Sequence, residues 1–233
     1  MRPNGRYQNY CPYGLIHLRN HTTMTIAPAN TSVLAELTGG GGMEQDISMM
    51  IGVGLVKDSD AVFFQYLGNE QTPAAITIPT NGKPLTCLRN VRLVGIDVAD
   101  GIGEFNSTKL NLFLESSAGN VVMLTAGLQT LWSQCIVTAL SGLYQTYDLD
   151  HAFNLNSWKG TSKMRPCFAS IKIGKEKISD QMLYDQLREL RADGAKDKVM
   201  AVMRDSVEIL KAALNGGNID AVDVAVEEPA NDF

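Results

Sequence analysis

The sequence predicts an α+β protein: a curved antiparallel sheet or barrel, one helix inserted among the strands, and a helical hairpin after them. Three observations carry this. Between Ile47 and Ala126 the chain is a series of short apolar or alternating segments split by turn signals. From Leu128 to Tyr144 the period changes to that of a helix. Beyond Ser179 two amphipathic stretches follow, separated by Gly194 and stopped by Gly216-Gly217.

Composition sets the outer bounds. In 233 residues, 45% are hydrophobic and 19% charged, enough apolar material for a substantial core. The net charge of −5 argues against an indiscriminate polyanion binder, but the charge is segregated along the chain. No apolar run reaches the roughly 18 residues that span a membrane. Met1 to Thr23 has no continuous apolar segment of the signal-peptide kind, so a cytoplasmic location is expected. Cys11, Cys87, Cys135 and Cys167 are widely scattered, as reduced thiols are.

Residues 1–45 read as a poorly ordered arm. The first 23 are basic and rich in Tyr, Asn and Pro, and Met24 opens a more ordinary stretch. Gly39 to Gly42 form a flexible joint and no phosphate loop, because no G-x-x-x-x-G-K-[ST] is present. Residues 46–177 are the β-rich body. SMMIGVGLV (48–56) and AVFFQYL (61–67) are strands joined by the turn Lys57-Asp58-Ser59-Asp60. Alternation puts Phe63 on one face, and Phe64 and Tyr66 on the other, where they are available for stacking. AAITIPT (74–80) is a third strand, followed by the turn Asn81-Gly82-Lys83-Pro84.

LTCLRNVRLVGIDVA (85–99) is one long strand or two, with Arg92 facing away from Val91 and Leu93. TKLNLFLESS (108–117) sets Leu110, Leu112 and Leu114 against Lys109, Asn111, Phe113 and Glu115. Ala118-Gly119-Asn120 turns the chain into NVVMLTA (120–126), and the inserted helix follows over 128–144. FASIKI (168–173) resumes as a strand. Residues 178–216 are the helical hairpin. Ser179 is the expected N-cap, Leu183, Leu187 and Leu190 the first apolar stripe, and Met203, Val207, Leu210 and Leu214 the second. Residues 217–233 form an acidic disordered tail.

The chemistry concentrates in two places. Residues 151–177 carry Lys159, Lys163, Arg165, Lys172, Lys175 and Lys177 against Glu176 alone, a balance of +5. Phe153, Trp158 and Phe168 lie among these cations. Cations that track phosphates, with rings on which bases stack, are what single-strand binding requires. The competing reading puts Trp158 and Phe168 in the core and the lysines on a solvated loop. A second basic set is Lys83, Arg89 and Arg92. The expected nucleic-acid-binding residues are Trp158, Lys159, Lys163, Arg165, Phe168, Lys172, Lys175, Arg89 and Arg92.

The other place is the stretch NIDAVDVAVEEPANDF (218–233). It holds Asp220, Asp223, Glu227, Glu228 and Asp232 with no Lys or Arg, and it finishes on Asp232-Phe233. It therefore carries a charge of −5, equal to the whole net charge. Charge keeps such a segment in water, while its ring can fill a partner's pocket. This stretch resembles the acidic C-terminal tails of bacterial and phage single-stranded DNA-binding proteins, several of which end in phenylalanine. The resemblance covers about the last tenth of the chain. It implies that Glu227, Glu228, Asp232 and Phe233 recruit replication or repair proteins.

Catalytic readings have less to build on. Only His17, His21 and His151 are present, and no cysteine pair has metal-ligand spacing. Asp97, Asp100 and Glu104 could hold a hard cation but lack the calcium-loop spacing. The expectation is a cytoplasmic, non-enzymatic protein that needs no cofactor or metal and binds single-stranded DNA. Its body would be OB-like, a fold that commonly binds single strands. The hairpin would stabilise that body or drive self-association into a homo-oligomer. The alternative is a structural or assembly protein of a phage or plasmid that forms homo-oligomers without binding nucleic acid.

Overall fold

Nine strands form one sheet in the order β3-β2-β1-β6-β5-β4-β7-β8-β9. The computed structural model describes residues 49–57, 59–66, 73–102 and 106–216. The N-terminal arm with its glycine run, Asp58, Glu104 and the acidic tail lie outside the described residues. The strands are β1 (Met49–Val53), β2 (Phe63–Tyr66), β3 (Pro73–Ala75), β4 (Cys87–Ile102), β5 (Ser107–Glu115), β6 (Val121–Gly127), β7 (Phe153–Lys159), β8 (Cys167–Ile173) and β9 (Glu176–Ile178). Three helices accompany them: α1 (Leu131–Thr146), α2 (Gln181–Ala192) and α3 (Lys196–Leu214).

The fold is therefore α+β, with an inserted helix and a terminal helical hairpin, as expected. The sheet is open rather than closed into a barrel, with β3 and β9 as its edges. Every pairing is antiparallel except β1 with β6, which is parallel. The residues expected as one or two strands over 85–99 form the single strand β4. Bulges between Leu88 and Val91, Leu93 and Gly95, and Ala99 and Ile102 bend it. Asn90 takes a positive φ of 51° in the first bulge, and its N–H donates to Asn154 Oδ1 at 3.0 Å.

Alternation divides the sheet into two faces. Leu110, Leu112 and Leu114 of β5, Val122 and Leu124 of β6, Leu88 and Val91 of β4, and Phe153 and Leu155 of β7 are fully buried on one of them. That face carries α1. Trp132 Nε1 donates to Ser157 Oγ at 2.9 Å, which ties α1 to β7. Thr130 caps α1 by accepting from the Ser133 N–H, so the helix begins at Leu131 and Leu128 stays with the strand ladder.

Leu187, Val199, Met203, Val207 and Leu210 of the hairpin join the same core. Asp180, not Ser179, caps α2 by accepting from the Leu183 N–H at 3.0 Å. Because α2 begins at Gln181, Asp180 is the residue directly before the helix, where a cap must sit. Gly194, with φ 69°, ends α2 as its sequence position implies.

β7 pairs only with the first part of β4. Along the remainder α3 packs, held by ion pairs from Lys211 to Asp97 and from Arg204 to Asp100. These pairs occupy two of the three acids considered as cation ligands. Arg204 and the Thr108 hydroxyl hold the Asp100 carboxyl below its ordinary value. Among the described residues, no group of three His, Cys, Asp or Glu could hold a metal ion, and no helix is long and apolar enough to cross a membrane.

Candidate nucleic-acid interface

The basic stretch 151–177 is a β-hairpin. β7 and β8 pair over Asn154 to Lys159, and the connecting turn holds Lys163 and Arg165. Because Phe153, Leu155 and Ser157 point into the core, Asn154, Asn156 and Trp158 point out. Three rungs on the side away from the core follow from the register: Trp158 opposite Phe168, Asn156 opposite the buried Ser170, and Asn154 opposite Lys172. They span about 13 Å along the strands.

The first rung is the aromatic one. The Trp158 and Phe168 rings are stacked, with centroids 6.0 Å apart and planes 22° apart. Trp158 remains 44% exposed. Gly160 makes this packing possible. A Cβ there would lie 2.9 Å from the Phe168 ring, so any side chain would push that ring off its place. Trp158 is a surface ring, not a core residue, and Phe168 is half-buried beside it.

The cations separate into two groups. Cys87 lies opposite Asn156, one strand over. Burial raises the Cys87 thiol above its usual value, while Arg89, which hydrogen-bonds to it, and the Lys172 ammonium pull the other way. Arg89 and Lys172 both act on the Cys87 thiol, beside the middle rung. Lys163 and Lys175 are exposed in the turns on either side of β8. Among the described residues, these four carry no ion pair.

The second group is committed elsewhere. Lys159 Nζ donates to the carbonyl oxygens of Val56 (3.1 Å) and Ser59 (2.6 Å) in the β1–β2 loop. Arg165 pairs with Asp60 of that loop. Arg92 pairs with Glu115 across β4 and β5 at 2.6 Å. So the structure brings Trp158 to Phe168 and leaves Arg89 and Lys172 exposed, but turns Lys159, Arg165 and Arg92 to protein partners. The tail residues Glu227, Glu228, Asp232 and Phe233 lie outside the described residues.

The polar rung of Asn156 and Ser170, and Asn154 beside it, were missed from sequence. The signal was present as the alternation of Phe153-Asn154-Leu155-Asn156-Ser157-Trp158, which the lysines around it obscured. In comparisons with known proteins, no family model, no curated relative and no solved structure matches the chain.

The two groups of cations predict different salt behaviour. Each phosphate-contacting cation removed from a single-strand binder lowers the slope of log affinity against log salt by about 0.7. Lys172→Met and Arg89→Met are each expected to lower the slope by about that amount in salt titrations of oligonucleotide binding. Lys159→Met is expected to leave the slope unchanged, because its ammonium is anchored on two carbonyls of the β1–β2 loop. A fall of similar size for Lys159→Met would return Lys159 to the binding surface.

Proposed function

We propose that this chain binds single-stranded DNA without sequence preference on the outward face of β7, β8 and the start of β4, and that it acts as a binding protein rather than an enzyme. The observation that supports this reading best is the exposed, stacked Trp158–Phe168 pair with uncommitted cations along the same hairpin. A base can lie on the indole, while Lys172, Arg89, Lys163 and Lys175 meet phosphates on either side. Stacking and phosphate contacts are common to every base, so affinity should depend on salt more than on sequence. The open sheet serves as the binding surface that an OB-like barrel was expected to provide.

The test uses a fluorescent oligo-dT strand at low salt. Binding is expected as a rise in anisotropy, together with quenching of tryptophan fluorescence. The chain has two tryptophans, and Trp132 is buried, so quenching reports on Trp158. No anisotropy change at low salt sinks the proposal. Self-association in that case would favour the assembly alternative.

The tail adds partner recruitment to this reading. Its −5 complements the +5 of residues 151–177. Removing Asp232 and Phe233 is expected to abolish capture of replication or repair proteins while oligo-dT affinity stays equal or rises. A loss of oligo-dT affinity would assign the tail a different role.

A further inference from the structure

We propose that Tyr66, braced by Phe64, is a second base-stacking subsite for the same single strand; this rests on the proposed single-strand binding. Both rings face away from Phe63, which is fully buried, and so lie on the outward face of the continuous sheet. Phe64 lies flat on β1. A Cβ on Gly52, its cross-strand partner, would sit 2.3 Å from the Phe64 ring, so only glycine admits this pose. Tyr66 meets Phe64 edge to face, with centroids 5.6 Å apart and planes at 86°. Its ring is held by this contact yet 48% exposed. A fixed aromatic plane open to solvent is what a base needs, since little side-chain entropy is lost on stacking.

The two aromatic pairs are tied together in space. Lys159, next to Trp158, grips the carbonyls of Val56 and Ser59. Arg165 grips Asp60. From Ser59 to Tyr66 the chain spans at most about 25 Å. Lys57 is exposed in the same loop and carries no ion pair among the described residues. Lys57 thus offers a phosphate contact in the loop that joins the two aromatic pairs. An exposed aromatic plane with an exposed cation in the adjoining loop favours a polyanion with stackable rings over an apolar protein partner.

The experiment compares a short oligo-dT of about 4 nucleotides with a long one of about 16, the range of known site sizes. Tyr66→Ala is expected to weaken the long strand about 5- to 100-fold and to leave the short strand unchanged, whereas Trp158→Ala weakens both. Tyr66→Phe should bind as the wild type, and Tyr66→Leu, apolar but without a π face, should behave like alanine. If Tyr66→Ala or Tyr66→Leu binds the long strand as tightly as wild type while Trp158→Ala does not, the second subsite is refuted and the first stands. If wild type binds neither length, both fall together.

Discussion

Replacing Trp158 by alanine is expected to weaken oligo-dT binding by about 5- to 100-fold while leaving the fold intact. The magnitude follows from the roughly 1–3 kcal/mol that a stacked base contributes. Nothing else on the hairpin replaces the lost surface, because Phe168 lies beneath the indole and Gly160 carries no side chain. The effect on stability is small by comparison. Trp158 is nearly half exposed, and its removal opens no cavity in the core. Trp158→Phe separates stacking from a structural role: it should keep most of the affinity and abolish the fluorescence quenching. If alanine at Trp158 binds as tightly as wild type, the aromatic rung is not where the strand lies, and the proposal loses its main support.

The largest effect on stability is expected at Gly142. This residue is buried in the middle of α1, and its missing Cβ would lie 2.5 Å from the Ser179 carbonyl carbon and 2.6 Å from the Asp180 nitrogen. Those are backbone atoms, so no rotamer change relieves the clash. Moving them breaks the Asp180 N–H to Thr138 carbonyl bond at 2.8 Å and pulls on the cap of α2. Gly142→Ala should therefore destabilise by about 1–3 kcal/mol or more, read from the urea midpoint. Helix propensity makes the sign informative. At an unhindered helical site the same substitution stabilises by up to about 1 kcal/mol. A midpoint at or above that of wild type would mean α1 and α2 are not in such close contact.

The β4–β5–β6 meander, the inserted helix and the terminal hairpin were legible because each shows a clean period bounded by turn or cap residues. Leu110, Leu112 and Leu114 alternate without interruption, and Gly194 sits where a helix must stop. Two features were not legible. The parallel pairing of β1 with β6 joins segments far apart in sequence, and no local pattern encodes a long-range partner. β7 was hidden because its outward positions hold asparagines beside lysines, which read as a loop until Leu155 and Ser157 are seen to point inward. At the candidate site, the types of residue were readable but their commitments were not. A lysine bound to two carbonyls looks the same in sequence as a lysine waiting for a phosphate.

The parallel contact between β1 and β6 also has a kinetic meaning. Met49 meets Val122 and Gly52 meets Thr125, so β1 docks on β6 only by closing a long stretch of chain. Loop-closure entropy must be met before this pairing returns any stabilisation, which is the situation that slows folding. The meander has short connections and needs no such wait. The half of the outward face that carries Phe64 and Tyr66 is thus expected to attach after the meander, and until it does β6 presents an unpaired edge along Val122 and Leu124.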